Sequence, residues 1–451
     1  MHIFDAEMDS LATKIFAYAR ARSELDPIPL DYPKTEDELR SLVGHTITAE
    51  GIGGDKALDL FAEHLAPASL SVDFPRYLSF VPAAPTEAAT LFDVVTSAIS
   101  TYGGSWLEGA GAIYAENEAL EWVRSLTGMP AGSGGVFVPG GTVGNLSALV
   151  AARADTANRD GDGRPNRYAI IASRESHSSI KAAALVMDCD VLLADTDEHR
   201  RMTGASVAQL LDEHGDRVCA VAATSGTTNL GIIDDLRGIG EVCRDREVWF
   251  HVDGAYGGAA LASERTRPLF DGLELADSFI VDPHKWLFAP FDCCALLYRE
   301  PEKARAAHMQ SAGYLAFLDA YGDWNPSDFA IHLTRRVRGL PFWFSLATYG
   351  TDAYATAIDT TLDLAAEAAR QITEAPHLEL AHPPSLSVVA FTRTGWSAEE
   401  YQAWTERTMK SGLAFVTPSR LDGKPIFRFC FVNPRTTSDD IAAIIASLAE
   451  G

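Results

Sequence analysis

The sequence predicts an α/β protein with a mostly parallel central sheet flanked by helices and a smaller C-terminal α+β domain. Between about residues 75 and 300, short apolar segments alternate with helical patterns. Strands without polar alternation, separated by helices, are typical of a parallel sheet that is buried on both faces. After about residue 350 the pattern changes to longer helices and fewer strands. With 451 residues, 47% of them hydrophobic, the chain can bury more than one core.

The first 74 residues are predicted to form a helical segment. Residues 6–22 have an amphipathic pattern, and a proline-rich extended stretch follows at 27–33. Thr35 and Glu38 have the spacing of a capping box, in which each side chain accepts a hydrogen bond from a free backbone amide of the first helical turn. A second helix is therefore expected to begin there.

A large domain at 75–350 and a small domain at 351–451 are predicted from the positions of the apolar runs. The runs of the large domain are short, bounded by turn residues and rich in β-branched and aromatic side chains. Its predicted strands are 135–138, 168–172, 190–193, 218–222, 248–252, 278–281 and 294–298. The small domain is predicted to contain helices at 351–372 and 397–411 and strands at 386–392 and 426–432.

Charge and composition limit the partners of the chain. It has 37 basic and 62 acidic residues, a net charge of −25, whereas nucleic acids and anionic membranes bind basic surfaces. The six cysteines are scattered without Cys-x-x-Cys spacing, as in proteins of reducing compartments. We see no signal peptide and no apolar run of membrane-spanning length. A cytoplasmic protein is expected, without a nucleic-acid partner, a membrane or a metal site.

Two neighbouring apolar runs each end in a charged side chain. The run 248–252 leads into Asp253 and a glycine-rich turn, and the run 278–281 leads, through a proline and His284, to Lys285. Ligands of open parallel sheets bind at the carboxyl ends of the strands. A lysine and an aspartate there suit pyridoxal phosphate, because the amine forms a Schiff base with its aldehyde and the carboxylate keeps its ring nitrogen protonated. A structural ion pair is the competing interpretation.

Three more strand ends carry polar groups. Gly141 and Thr142 follow the run 135–138, where backbone amides at a helix start could bind a phosphate. His177 follows the second run and could lie against a heteroaromatic ring, while Thr224 follows the fourth and could bond a ring oxygen or a carboxylate. Taken singly, the first two segments are more typical of a plain turn and a polar helix cap, and the third is equally typical of a solvated turn. Their agreement favours a cofactor site.

Together these motifs resemble those of the group II pyridoxal-phosphate decarboxylases, the family of aromatic-L-amino-acid, tyrosine and glutamate decarboxylases. The resemblance extends from about residue 74 to the C-terminus, with the motifs in the same order. It implies the fold type I of pyridoxal-phosphate-dependent transferases, as in aspartate aminotransferase. It also implies decarboxylation of an L-amino acid to its amine and CO₂. The matched segments are 140–142, 176–179, 223–228, 251–256, 282–286, 291–293, 333–338 and 427–429.

The resemblance implies roles for the matched residues. Lys285 would hold the cofactor covalently, Asp253 would pair with its ring nitrogen, and His177 would stack on its ring and take part in catalysis. Further cofactor contacts implied in the same way are Gly141, Thr142, Thr224, Ala255 and His284.

Tyr314 matches the loop tyrosine that protonates the substrate α-carbon after CO₂ leaves. In relatives that loop reaches across a homodimer into the neighbouring site, and family members with phenylalanine there form an aldehyde instead. Residues 314–326 are rich in glycine, aspartate and aromatics, which suits a lid. An aromatic residue that packs near a helix end is the alternative. The resemblance thus implies a homodimer, with residues 1–74 at its interface.

Phe80, Trp106 and Arg428 are the predicted substrate contacts. The first two belong to an apolar set that favours an aromatic or other apolar side chain, and Arg428 matches an arginine that relatives place near the substrate. Two positions depart from the family pattern. The helix after the phosphate turn begins Thr-Val-Gly-Asn, and Asp282 stands where some relatives have asparagine. Because a carboxylate beside a phosphate is unfavourable, we expect Asp282 to turn toward backbone amides or His284.

Three other functions use the same residues. An aldehyde synthase would release peroxide and ammonia, and the tyrosine at position 314 argues against it. An aminotransferase or lyase would need no CO₂ release. A catalytically silent binding or dimerisation module would not take up pyridoxal phosphate.

Overall fold

The computed structural model describes residues 2–310 and 324–449, and a seven-stranded sheet is its largest element. The strands are β1 (Gly134–Val138), β2 (Ala169–Ser173), β3 (Asp190–Ala194), β4 (Val218–Thr224), β5 (Trp249–Asp253), β6 (Ser278–Val281) and β7 (Cys294–Tyr298). They lie in the order β1-β7-β6-β5-β4-β2-β3. Neighbouring strands are parallel except at β7, which runs antiparallel to both β6 and β1. The predicted strands are confirmed, each within two residues of its predicted bounds.

Helices cover both faces of this sheet, which explains why its strands are apolar throughout. In β6, Phe279 and Val281 belong to one buried cluster, whereas Ile280 between them belongs to the cluster on the opposite face. In β2, Ile171 and its neighbour Ile170 divide in the same way. Alternate side chains thus enter two separate cores, as expected for a sheet between two helical layers.

The α-helices of the described residues fall into three groups along the chain. Those of the N-terminal segment are α1 (Ala6–Ser23), α2 (Glu36–Val43) and α3 (Gly54–Leu60). Those around the large sheet are α4 (Glu87–Ile99), α5 (Trp106–Thr127), α6 (Gly141–Asp160), α7 (Ser178–Val186), α8 (Gly204–His214), α9 (Leu236–Asp245), α10 (Pro283–Trp286), α11 (Pro301–His308) and α12 (Leu340–Tyr349). The last group is α13 (Thr351–Glu374), α14 (Ala398–Lys410) and α15 (Ser438–Ser447).

The predicted capping box is present at the start of α2. The backbone amide of Glu38 donates to Thr35 Oγ1 at 3.3 Å, and the amide of Thr35 donates to Glu38 Oε2 at 2.7 Å. None of the helices described among residues 2–310 and 324–449 is both long and apolar enough to cross a membrane.

A second, antiparallel sheet forms the C-terminal part of the molecule. Its strands are β8 (Leu378–Leu380), β9 (Val388–Arg393), β10 (Pro418–Leu421) and β11 (Lys424–Cys430), in the order β10-β11-β9-β8. Tyr401 and Trp404 of α14 pack on Phe427 of β11, with ring centroids 4.5 and 4.9 Å apart. The molecule is therefore α/β with a smaller α+β part, as predicted.

A buried ion pair joins α5 to the segment before α12. The Arg335 guanidinium, with its side chain fully buried, donates to both carboxylate oxygens of Glu116 at 2.7 and 2.8 Å. It also donates to the carbonyl oxygens of Gly103 and Phe137 at 2.7 and 3.3 Å. The pair thereby attaches the chain that follows the undescribed residues 311–323 to β1 of the large sheet.

We expect Glu116→Ala to lower the free energy of unfolding by about 3–5 kcal/mol, because it leaves the Arg335 charge buried without its counter-ion. Urea denaturation of the wild type and the variant measures the difference. Glu121→Ala on the same helix is the control: it removes a carboxylate that pairs with Arg124 while 59% exposed, and should cost at most about 1 kcal/mol. Equal losses in the two variants would contradict the role given to Glu116.

Candidate active site

The carboxyl ends of the large sheet's strands bring the predicted residues to one edge. Thr224 at the end of β4 pairs in register with Asp253 at the end of β5, and Asp253 pairs with Ile280, two residues before Asp282. Because β7 is reversed, β1 points the same way as β6 and adds the start of α6 to this edge. Together they enclose a cleft of about 450 Å³. Eight predicted residues line it: Lys285, Asp253, His177, Gly141, Thr142, Thr224, Ala255 and His284.

The first turn of α6 forms one wall of the cleft. This helix is 20 residues long, and no side chain caps its N-terminus. A Cβ atom at Gly141 would lie 3.1 Å from both Ala255 Cβ and Asp282 Oδ2, so only glycine leaves this space open. Free amides and the positive end of a helix dipole bind anions. The turn therefore suits the phosphate of a cofactor, in agreement with the prediction for Gly141 and Thr142.

Lys285 lies in α10, the single turn of helix after β6, and forms a buried ion pair. Its Nζ is 2.8 Å from Oδ2 of Asp282, which is 1% exposed. Burial opposes the charge on each group, but their mutual attraction outweighs it. The attraction between the two charges raises the pKa of Lys285. The same attraction, together with that of His284, lowers the pKa of Asp282. Asp282 turns toward Lys285 at 2.8 Å and His284 at 3.7 Å, so the expectation holds for His284 and not for backbone amides.

Asp253 accepts hydrogen bonds through both carboxylate oxygens. The side-chain amide of Asn145 donates to its Oδ2 at 2.8 Å, and the backbone amide of Ala255 donates to its Oδ1 at 3.0 Å. Asp253 is 5% exposed and lines the cleft, which places a fixed negative charge where a ring nitrogen would need it.

Two histidines face the cleft from different elements. His177 caps α7, with its Nδ1 3.2 Å from the backbone amide of Ser179 and 2.8 Å from the hydroxyl of Ser179. His284 lies 2.7 Å from the carbonyl oxygen of Cys293 through Nδ1, and its ring centroid is 4.9 Å from that of Phe291. Burial lowers the pKa of His284. Both rings are fixed through Nδ1.

The predicted substrate contacts do not line this cleft. Phe80 is 56% exposed, and its carbonyl accepts a hydrogen bond from Arg428 Nη2 at 2.7 Å. Trp106 begins α5, where its backbone amide bonds to Asn325. Arg428 is buried, and its Nη1 has no hydrogen-bond partner among the described residues. Tyr314 lies outside the described residues. The roles of these four residues stay predictions.

The lining residues that were not among the predicted contacts include Asn145, Phe291 and Asp292. Asn145 is one helical turn after Gly141 and therefore on the same face of α6, a spacing that could have identified it. Phe291 and Asp292 belong to a matched motif that was given no role, and Asp292 forms an ion pair with Arg338. The structure places all three at the wall of the cleft.

Burial lowers the pKa of His251, the residue of β5 beside this site, from 6.5 to about 4. The unfolded chain therefore takes up a proton at higher pH than the folded protein. The stabilisation from keeping His251 neutral is present above pH 6.5 and is lost as pH falls toward 4. We expect it to amount to about 3 kcal/mol. Urea denaturation across this pH range measures how the free energy of unfolding depends on pH. That dependence should be weaker in His251→Gln and unchanged in His199→Gln, a variant of an exposed histidine.

The donor set fits pyridoxal phosphate. An uncapped helix start suits the phosphate, a buried amine suits the aldehyde, and a carboxylate with donors on both oxygens suits a protonated ring nitrogen. The fold and this site define a pyridoxal-phosphate-dependent enzyme of fold type I.

Comparisons with known proteins identify the family. The model of the pyridoxal-dependent decarboxylase conserved domain matches residues 56–394, and the chain belongs to this family, whose cofactor is pyridoxal phosphate. It is 29% identical to the aromatic-L-amino-acid decarboxylase of Bacillus atrophaeus, over 94% of this chain and 91% of that protein. It is 34% identical to the L-2,4-diaminobutyrate decarboxylase of Rhizobium meliloti, over 85% and 79% of the respective chains.

A further sequence relative and a solved structure are similar to nearly the whole chain. A 4-hydroxyphenylacetaldehyde synthase of Rhodiola rosea is 26% identical over 84% of this chain and 80% of that protein. The crystal structure of Oryza sativa TDC with pyridoxal phosphate and tryptamine superposes with a TM-score of 0.90 at 23% identity, covering 100% of this chain and 99% of that one. The protein is thus a pyridoxal-phosphate-dependent amino-acid decarboxylase, a carboxy-lyase.

Proposed function

We propose that this decarboxylase converts an L-amino acid with an aromatic or other apolar side chain into its amine. The charges that line the cleft carry this proposal. Among the described lining residues Lys285 is the only lysine or arginine, and it is needed for the cofactor, so none is left for an acidic side chain. Asp253 and Asp292 are bonded to Asn145 and Arg338, which a cationic substrate side chain would have to displace. Among the described lining residues, Asp282 is the carboxylate whose cationic partner, Lys285, is taken by the cofactor, so the substrate panel below includes a cationic amino acid.

Each residue of the site can be given a task. Bound pyridoxal phosphate supplies a protonated ring that accepts the electron pair released when the bond from the α-carbon to the carboxylate breaks. Asp253 holds the proton on the ring nitrogen, and His177 supports the ring. Lys285 anchors the cofactor between turnovers. Tyr314 would return a proton to the α-carbon. Arg428 lies outside the described lining of the cleft, so its place near the substrate rests on the family resemblance alone.

Amine formation from the twenty L-amino acids and L-2,4-diaminobutyrate tests the substrate class. The holoenzyme is incubated with each compound, and amine and CO₂ are measured without any keto-acid acceptor. We expect the highest kcat/KM for an aromatic or branched apolar substrate. A higher value for diaminobutyrate, glutamate or aspartate would overturn the proposal. CO₂ release that depends on a keto acid would instead favour the aminotransferase alternative.

The apolar surface of α4 supports a homodimer. Four of its side chains lie on one face of the helix and are 41–50% exposed: Leu91, Val94, Val95 and Ile99. In α1, the first helix of the N-terminal segment, no residue is buried. Exposed apolar stripes on helices mark association sites. We propose that residues 1–74 and α4 meet a second copy of the chain, that 75–350 form the cofactor domain and that 351–451 form the small domain.

A cytoplasmic location is part of the proposal. The six cysteines are all free and buried in the structure, and the net charge is −25. Free, buried thiols are typical of proteins in reducing compartments.

Tyr314→Phe should shift the product from amine toward aldehyde, because the phenol that would protonate the α-carbon is lost. Amine, aldehyde and hydrogen peroxide are quantified from the best substrate under air. Phe317→Leu, a change in the same segment that keeps Tyr314, is the control and should still give amine. An unchanged amine yield from Tyr314→Phe would refute the proton-donor role.

A further inference from the structure

Both donors and the acceptor oxygen of the Asn145 amide are hydrogen-bonded inside the protein. Asn145 is 1% exposed, and its Nδ2 donates to Asp253 Oδ2 and to Ser179 Oγ, both at 2.8 Å. Its Oδ1 lies 2.8 Å from His251 Nε2. One buried amide therefore touches the carboxylate that faces the cofactor, the serine that bonds His177, and a histidine of the sheet.

The direction of these hydrogen bonds follows from the donors available. The indole N–H of Trp249 can only donate, and it lies 2.8 Å from Ser278 Oγ. Ser278 Oγ also lies 2.8 Å from His251 Nδ1, to which its own hydroxyl can donate. The Asp253 carboxylate only accepts, so the Asn145 NH₂ group faces it and the amide oxygen faces His251 Nε2, which therefore carries the proton of the neutral ring.

These hydrogen bonds hold the Asn145 amide in that orientation. With a donor at Oδ1, the NH₂ group faces Asp253. The reverse orientation would set an amide oxygen against the carboxylate and an NH₂ group against the His251 N–H. Burial lowers the pKa of His251 to about 4, so the ring stays neutral and the direction holds at neutral pH.

A second branch reaches His177. Because Ser179 Oγ accepts from Asn145, its own hydroxyl proton is free for His177 Nδ1 at 2.8 Å. The same nitrogen also accepts a hydrogen bond from the backbone amide of Ser179 at 3.2 Å. Nε2 is then the protonated nitrogen of the neutral His177 ring. Asn145 thus joins the residue beside the ring nitrogen to the residue beside the ring face.

We propose that Asn145 is a positioning residue that keeps the Asp253 carboxylate directed at the cofactor's ring nitrogen, with His251 holding the amide in the required orientation. The proposal rests on the role proposed for Asp253. Without the Asn145 donor, Asp253 Oδ2 would have no hydrogen bond from the described residues to hold it in that direction. The ring nitrogen would then lose its counter-charge and release its proton at lower pH.

The test is NMR of the holoenzyme loaded with pyridoxal phosphate labelled with ¹⁵N in the ring, titrated with pH. We expect Asn145→Leu to lower the pH at which the ring nitrogen loses its proton by about one to two units. His251→Leu should do the same, because the amide loses the donor that orients it. His251→Gln, which keeps an N–H donor, should stay within half of that shift. This pair carries the test if Asn145→Leu does not fold.

Thr156→Val is the matched control for a merely structural effect. Thr156 is buried on the same helix and bonds to the carbonyl oxygen of Cys219 at 3.4 Å, so its loss should change stability without moving the titration. An unshifted titration in Asn145→Leu, or an equal shift in His251→Gln and His251→Leu, would overturn the proposal. If Asp253→Asn also leaves the titration unchanged, the fault lies in the role of Asp253 itself.

Discussion

Replacing Lys285 with alanine is expected to remove the visible absorption of the bound cofactor and to lower turnover by about a thousandfold or more. The amine is the proposed covalent anchor for the aldehyde, and no other lysine lines the cleft among the described residues. The change also leaves the carboxylate of Asp282 buried without its counter-ion. We therefore expect a lower melting temperature for the variant as well.

Absorption spectra and amine formation measure these effects in the purified protein after addition of pyridoxal phosphate. Lys181→Ala, an exposed lysine of α7, is the control and should keep both the colour and the activity. A Lys285→Ala protein that retains the visible band and normal turnover would remove the central assignment. Loss of the band with turnover preserved would show that the anchor is dispensable for catalysis.

Asp253→Asn is expected to reduce kcat by about 10²–10³-fold with a smaller change in KM. The substitution keeps the shape of the side chain but removes the fixed charge that stabilises a protonated ring nitrogen, and charge stabilisation of this kind has effects of that size. Cofactor binding should persist, because Lys285 and the start of α6 are unchanged.

Steady-state kinetics at saturating pyridoxal phosphate separate the two parameters. Asp245→Asn, at the exposed end of α9, is the matched control and should leave both unchanged. A fall confined to KM would mean that Asp253 binds the substrate rather than supporting the electron sink. A kcat equal to that of the wild type would contradict its proposed task.

The large sheet could be predicted because its strands are buried on both faces. Runs such as β4 and β6 contain apolar residues at consecutive positions, and short runs of this kind between turn residues indicate buried strands. In the small sheet, β8 and β10 were missed. They are three and four residues long, and β10 reads Pro-Ser-Arg-Leu, so neither has enough residues to show a period.

The cofactor side of the site was predictable for a similar reason. Asp253 follows an apolar run directly, Lys285 and Gly141 follow one after a short turn, and parallel topology brings such positions to one edge. Asn145 was missed because it lies inside a helix, and its partner Asp253 is 108 positions away. A hydrogen bond over that separation leaves no local pattern, and the spacing from Gly141 along α6 indicates only the face of the helix, not the partner. The substrate contacts were assigned from resemblance alone, and Phe80 and Arg428 bond to each other outside the cleft.

The place of β7 also bears on how the chain assembles. β1 is the first strand of the large sheet to be synthesised, yet within the described residues its only neighbour in that sheet is β7, the last. During translation, more than 150 further residues are synthesised before β7 can pair with β1. Until then the edge of β1 is unpaired, and an unpaired strand edge favours misassociation. Such distant pairing slows folding. Cofactor binding, which needs α6 directly after β1 as well as Lys285 just before β7, should therefore report the completion of the sheet rather than an early folding stage.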